Sequence, residues 1–272
     1  MHQAPRPQAA RIRTPGPSKG WVPNQHGAWA FTVVPWLLGL AWAIGAGSVE
    51  LVHFLLFAFW MVGYFCFFAA SQWLKSHFKP RYVRAVATYG AAAGALGIWV
   101  LVLRPGWWSW ILVFAPLTGY ALWSSYARRE RELVSGFVTI LAATLIPVVM
   151  GSQALWAPGG MPTLAVVSAI CLGYFFGTVL YVKTIIRERG KVTYVVASVA
   201  WHMVCSALAL AVPAPLPAVW VTAFFLAMAL RAALVAALGP MRGRRVSAKA
   251  VGIWEFVSTL ALIAILVPGL VA

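Results

Sequence analysis

Gly173-Tyr-Phe-Phe-Gly-Thr-Val-Leu-Tyr-Val-Lys-Thr-Ile-Ile-Arg-Glu-Arg-Gly190 is the stretch whose reading decides the fold. It opens as an apolar helix long enough to enter a bilayer and closes as a dense polar run. Lys183 and Arg187 are four residues apart, which on an α-helix puts them on one face, with Thr184 and Glu188 on the face beside it. A cationic face at the end of a membrane helix has two physical readings. It snorkels to lipid headgroups as a positive-inside anchor, or it meets water, a carboxylate or an anionic ligand.

The rest of the composition agrees with a membrane setting. Of 272 residues, 62% are hydrophobic and only 10% are charged, against about 25% charged in a soluble domain. The mean hydropathy is +0.84. Lys and Arg total 21 against 5 acidic residues, for a net charge of +16, and aspartate is absent. Such basicity in a soluble chain would point to nucleic acid. Here the cations sit in short connections between apolar runs, so membrane topology explains them and no nucleic-acid partner is expected. Cys66, Cys171 and Cys205 lie inside apolar runs with neither metal-ligand nor disulfide spacing, and read as inert small residues.

Nine apolar stretches follow a Pro- and Arg-rich segment. Residues 1–26 read as a disordered basic cytoplasmic tail, and residues 27–272 as one membrane domain. The stretches are 27–47, 51–74, 85–103, 106–126, 134–155, 162–186, 193–212, 216–238 and 249–271, each about 20 residues and able to cross a bilayer. Pro35, Pro116 and Pro147 are expected to kink their helices. The cations test the count. Apart from Arg104, every Lys and Arg falls in the tail or in an even-numbered region. The odd connections hold Gly, Pro and Trp instead. The alternation predicts an all-α, nine-span polytopic protein with its N-terminus in the cytoplasm and its C-terminus outside. Trp107, Trp108 and Trp110 are expected to anchor the interface.

Gly63-Tyr64-Phe65 and Gly173-Tyr174-Phe175 occupy the same depth in the second and sixth stretches. Each continues to a basic end, through Gln72 and Lys75 in one and Lys183 and Arg187 in the other. The match suggests two four-span repeats. Other polar residues also need an account. His26 opens the first span behind Asn24 and reads either as part of a polar helix start or as a contact at a cavity mouth. His202 lies deep in the seventh span. Glu255 lies one to two turns inside the ninth and requires protonation, a polar cavity or a cationic partner, for which Lys183, Arg187, Lys249 and Arg231 are candidates. No phosphate-binding loop, nucleophile elbow or zinc spacing is present.

Asn24-Gln-His-Gly-Ala-Trp-Ala-Phe31 with Val34-Pro-Trp-Leu-Leu-Gly39, Tyr181-Val-Lys-Thr-Ile-Ile-Arg-Glu-Arg189, and Lys249-Ala-Val-Gly-Ile-Trp-Glu255 resemble the YwiC-like family of bacterial integral membrane proteins. More distantly, the chain resembles the UbiA-type intramembrane prenyltransferases, which have nine helices and a cytoplasmic N-terminus. In that superfamily, Asp-rich motifs at the cytoplasmic ends of the second and sixth helices hold magnesium and a prenyl diphosphate. The matching positions here read Ala70-Ser-Gln-Trp-Leu-Lys75 and Tyr181 to Arg189, without aspartate. That argues against Mg2+, which takes carboxylate oxygens, and no other cofactor is evident. Lys75, Lys183 and Arg187 can instead neutralise a phosphate directly.

The resulting expectation is a site for an isoprenoid phosphate, a quinone-like ring or another anionic amphiphile in a cationic cavity facing the cytoplasm. Its candidate residues are His26, Gln72, Lys75, Lys183, Arg187, Glu188, His202 and Glu255. If the protein is an enzyme, the resemblance implies prenyl transfer. A small-anion transporter and a non-catalytic structural protein are the alternatives. The oligomeric state is left open.

Overall fold

The computed structural model describes residues 20–23, 26–157, 161–243 and 245–272. Among them, ten α-helices occur in order: α1 His26–Gly45, α2 Leu51–Lys75, α3 Val83–Leu103, α4 Ile111–Tyr126, α5 Leu133–Thr144, α6 Ile146–Gly151, α7 Met161–Val182, α8 Val192–Ala209, α9 Ala218–Leu238 and α10 Ala248–Val271. Eight segments are long and apolar enough to cross a membrane; α5 and α6 together form one of them, Leu133–Gly151. The fourth stretch of the sequence supplies the remaining helix in a mixed form. Trp-rich 3-10 turns over Pro105–Trp110 lead into the 16-residue α4. At about 2.0 Å per residue for the first part and 1.5 Å for the second, the pair still measures roughly 36 Å.

The prolines act unequally. Pro35 and Pro116 sit inside continuous helices, whereas Pro147 stands in the first turn of α6 and divides it from α5. A proline in a first helical turn forfeits no hydrogen bond, so the break falls where the chain loses least.

Helix α1 runs through the middle. It packs on α10, α6, α7, α5 and α2, while the contacts α2–α4, α4–α5, α5–α7, α7–α8, α8–α9 and α9–α10 close the bundle around it. Helix α3 leans on α2 from outside, and α8 pairs most extensively with α9. The suggested four-span repeat would require α3 and α8 to play the same part, and they do not. The apolar side chains left outside, such as Ile98, Trp99, Val219, Trp220 and Phe256, belong to lipid, which solvates them as well as a protein interior does. Gly45 lets the last turn of α10 close on α1; a Cβ there would lie 2.2 Å from the Leu270 carbonyl oxygen.

The two ends differ. At the Trp-rich end, Trp107 Nε1 donates to the Ser152 carbonyl at 2.8 Å and Trp110 Nε1 to Ser152 Oγ at 2.9 Å. Both indoles are buried, and only Trp108 is exposed. Two of the three expected interface anchors therefore tie the start of α4 to the end of α6. His53 is also structural: its Nδ1 accepts from the Glu50 N–H at 3.1 Å and closes the N-terminus of α2. Arg104, the one cation at this end among the described residues, pairs with Glu50.

At the opposite, basic end lie the ends of α2, α4, α7 and α9 and the starts of α3, α5, α8 and α10. The expected tail lies mostly outside the described residues. Its last described part rests on α3, where Tyr89 Oη donates to the Trp21 carbonyl at 2.9 Å.

Candidate functional site

Two polar clusters lie inside the bundle toward the basic end. The first grows from the last three turns of α2. Tyr64, Phe67, Phe68, Ser71, Gln72 and Lys75 point toward α4 and α5 and line a chamber of about 210 Å³ with Ser125, Glu130, Ser135 and Thr139. Lys75 bonds the carboxylate of Glu130 in the α4–α5 connection. Burial raises the Glu130 carboxyl pKa, but the Lys75 hydrogen bond, a backbone N–H and the charges of Lys75 and Arg131 together hold it below its ordinary value.

A second chamber of about 420 Å³ adjoins the first and extends between α2, α3, α4 and α5. It shares Phe31, Tyr64, Phe67, Ala121 and Thr139 with the first and is otherwise lined by groups such as Phe59, Trp60, Phe114, Leu117 and Ala143. Its volume lies in the usual range for small-molecule sites, and its wall is apolar. Together the chambers form a polar mouth over a greasy interior.

The second cluster joins α7, α9 and α10. Arg231 lies seven residues from the end of α9 and Glu255 seven residues from the start of α10, each about 10 Å inside its helix. Arg231 Nη2 faces Glu255 Oε1 at 2.7 Å, and each side chain is only 14% exposed. Thr178 donates to Glu255 Oε2 at 2.7 Å. Tyr174 Oη donates to the Glu255 carbonyl and lies 2.9 Å from Thr259 Oγ1. The guanidinium sits 4.2 Å above the Tyr181 ring and donates to Ser258 at 3.2 Å. Among the four cations considered from sequence, Arg231 is the one paired with Glu255.

The expected site residues are distributed as follows. Gln72 and Lys75 line the first chamber, and Glu255 anchors the second cluster. His202 is fully buried on α8, with Nδ1 2.7 Å from the Ser198 carbonyl and Nε2 packed against Gly177 without a partner. Lys183 and Arg187 fall in a π-helical segment, Lys183–Arg187, closed by the Glu188 N–H donating to the Lys183 carbonyl at 2.7 Å. Lys183 is buried beneath the Tyr194 ring and Arg187 is exposed. Neither lines the chambers. Glu188 pairs with Lys191 at 2.7 Å, and that hydrogen bond holds its carboxyl below the ordinary value. His26 begins α1.

Glu130 and Tyr64 were not singled out by sequence reasoning. Glu130 sits among Arg128, Arg129 and Arg131, where nothing local marks one carboxylate as a wall of a chamber. Tyr64 carried a signal in the repeated Gly-Tyr-Phe, but nothing in that triplet reveals an empty space beside it. The donor set at the ends of α2 and α7 does not fit magnesium. Lysines stand there, and among the described residues no three His, Cys, Asp or Glu side chains group around a common point.

The YwiC-like protein family matches residues 22–151. Over that region the chain is similar to the YwiC-like family. It is 28% identical over 256 residues to the uncharacterized protein YwiC of Bacillus subtilis strain 168, covering 91% of this chain and 97% of that one. It is 28% identical over 197 residues to an uncharacterized protein of Haemophilus influenzae, covering 68% of this chain and 75% of that one. No solved structure matches it. The matched YwiC-like region runs from the start of α1 to the end of α6, so it contains every residue of the apolar chamber and all of the mouth except Val179.

Proposed function

We propose that this YwiC-like protein binds an isoprenoid-type amphiphile, with the polar head at Lys75, Gln72 and Tyr64 and the apolar tail in the chamber between α2, α3, α4 and α5. The observation that supports the reading is the adjacency of the two chambers: a mouth holding hydroxyls, an amide and one ion pair shares the walls Phe31, Tyr64, Phe67, Ala121 and Thr139 with an apolar space of about 420 Å³. A polar solute gains nothing from the second chamber and an alkane gains nothing from the first. A molecule with both parts gains from each. If the ligand is turned over, the distant UbiA-type resemblance makes prenyl transfer the reaction class. We place the basic end in the bacterial cytoplasm, as the cation asymmetry supports.

The test is mass spectrometry of lipids that co-purify with the detergent-solubilised protein and with an Ala121→Phe variant. Ala121 is buried and lines both chambers. The expected result is one amphiphile held by the wild type and lost from a variant whose melting temperature is maintained. Identical bulk phospholipid in both samples would overturn the reading. Protein-dependent anion flux into liposomes with no retained amphiphile would favour a small-anion transporter.

A further inference from the structure

Among the described residues, three oxygens of the side chains lining the mouth have no hydrogen-bond partner: Tyr64 Oη, Ser71 Oγ and Glu130 Oε2. Each is closed off from bulk water. A polar group left in that state costs about 1–3 kcal/mol, and three of them around one space point to a ligand that completes them. Their chemistry restricts that ligand. Tyr64 and Ser71 each donate one hydrogen and can accept others. An ionised Glu130 only accepts. The satisfying group must therefore donate to one wall and accept from another.

Charge restricts it further. Among the described residues, Lys75 and Glu130 are the only charged ones lining the mouth, and they are paired. Lys183 and Arg187, the cations that would have made the space positive, do not line it. A phosphate or carboxylate head would set its oxygens against Glu130 and find the one lysine already engaged. A hydroxyl meets neither obstacle. It donates to Glu130 Oε2 and accepts from Tyr64 or Ser71.

We infer that the head group of the bound amphiphile is a neutral hydroxyl, an alcohol or phenol, and that Glu130 selects it by accepting its hydrogen while repelling anionic heads. The inference rests on the amphiphile-binding reading and deepens it.

Three probes with the same tail separate the possibilities: farnesol, farnesyl methyl ether and farnesyl phosphate, titrated against the purified full chain by native mass spectrometry. Wild-type protein is expected to hold farnesol about tenfold more tightly than the ether, the worth of one hydrogen bond to a charged acceptor, and more tightly than the phosphate. Glu130→Gln should narrow the gap between alcohol and phosphate, because the repelling charge is gone and Lys75 is released. Tyr64→Phe should weaken farnesol binding without admitting the phosphate. A wild type that prefers the phosphate, or that holds ether and alcohol equally, overturns the inference and leaves amphiphile binding standing. Failure of all three probes to bind saturably would sink both. The wild-type order alone decides, so a variant that folds poorly does not obscure the result.

Discussion

Tyr64 and Tyr174 stand in the same Gly-Tyr-Phe triplet at similar depth, yet they meet opposite surroundings. Tyr174 Oη contacts the Glu255 carbonyl, its carboxylate and Thr259 within 3.3 Å. Tyr64 Oη has no partner among the described residues, and Tyr64 lines both chambers. Each tyrosine has a cation–carboxylate pair in its cluster, Arg231–Glu255 in one and Lys75–Glu130 in the other. Neither Arg231 nor Glu255 lines the chambers, whereas Lys75 and Glu130 both line the mouth. Similar ion pairs thus sit among packed helices in one cluster and beside open space in the other.

The difference is sharpest when a carboxylate is removed. Glu255→Ala should strand a guanidinium inside the bundle and cost about 3–5 kcal/mol, read as a fall in detergent unfolding free energy. Replacing the pair together, Arg231→Met with Glu255→Leu, should recover most of that loss. If Glu255→Ala is as mild as Glu130→Ala, the contrast between a filled and an open cluster fails.

The tyrosines give the next largest difference. Tyr174→Phe should cost about 1–2 kcal/mol through its lost hydrogen bonds, while Tyr64→Phe should be neutral or slightly stabilising, since its oxygen has nothing to lose. Equal losses in thermal unfolding would show that the Tyr64 hydroxyl is satisfied after all.

A smaller effect concerns pH. Glu130 has a folded pKa below its ordinary 4.5, so its pairing with Lys75 stabilises the fold above that value. The contribution is lost as pH falls through the depressed folded pKa. Lys75 is 40% exposed and solvent screens the pair, so the step should be a fraction of a kcal/mol. It should vanish from the acid unfolding curve of Glu130→Gln. Smallest of all, Glu188→Ala should leave the melting temperature unchanged, because its bond to Lys191 is local and exposed. A clear fall there would give the α7–α8 connection a role that its geometry does not suggest.

Much of the bundle was legible in sequence because length, hydropathy and cation placement are local properties. The stretches 51–74 and 249–271 fall within a residue of α2 and α10 at both ends. Glu255 announced its need for a partner because an ionised carboxylate inside a membrane helix is costly. The identity of the partner depended on the approach of α9 to α10, which no local pattern encodes. Lys75–Glu130 was hidden for the same reason, since its partners are 55 residues apart in the chain. Lys183 and Arg187 of the π-helical segment part by depth: Lys183 is buried beneath Tyr194 of α8 and Arg187 is exposed, a difference set by helix packing that no local pattern encodes.

That π-helical segment also sets the phase of α7. One α-helical residue corresponds to about 100° of rotation, and a π turn accommodates one residue that an α-helix would not. Tyr174, Thr178 and Tyr181 lie before it, and the turn leading into α8 lies after it. Removing a single residue between Lys183 and Arg187 would let the helix rewind as α and rotate one of these parts against the other. The Glu255 cluster could keep its tyrosines only if α8 left its seat on α9. The segment therefore works as a phase adjuster, allowing two rigid halves of the bundle to be in register at once.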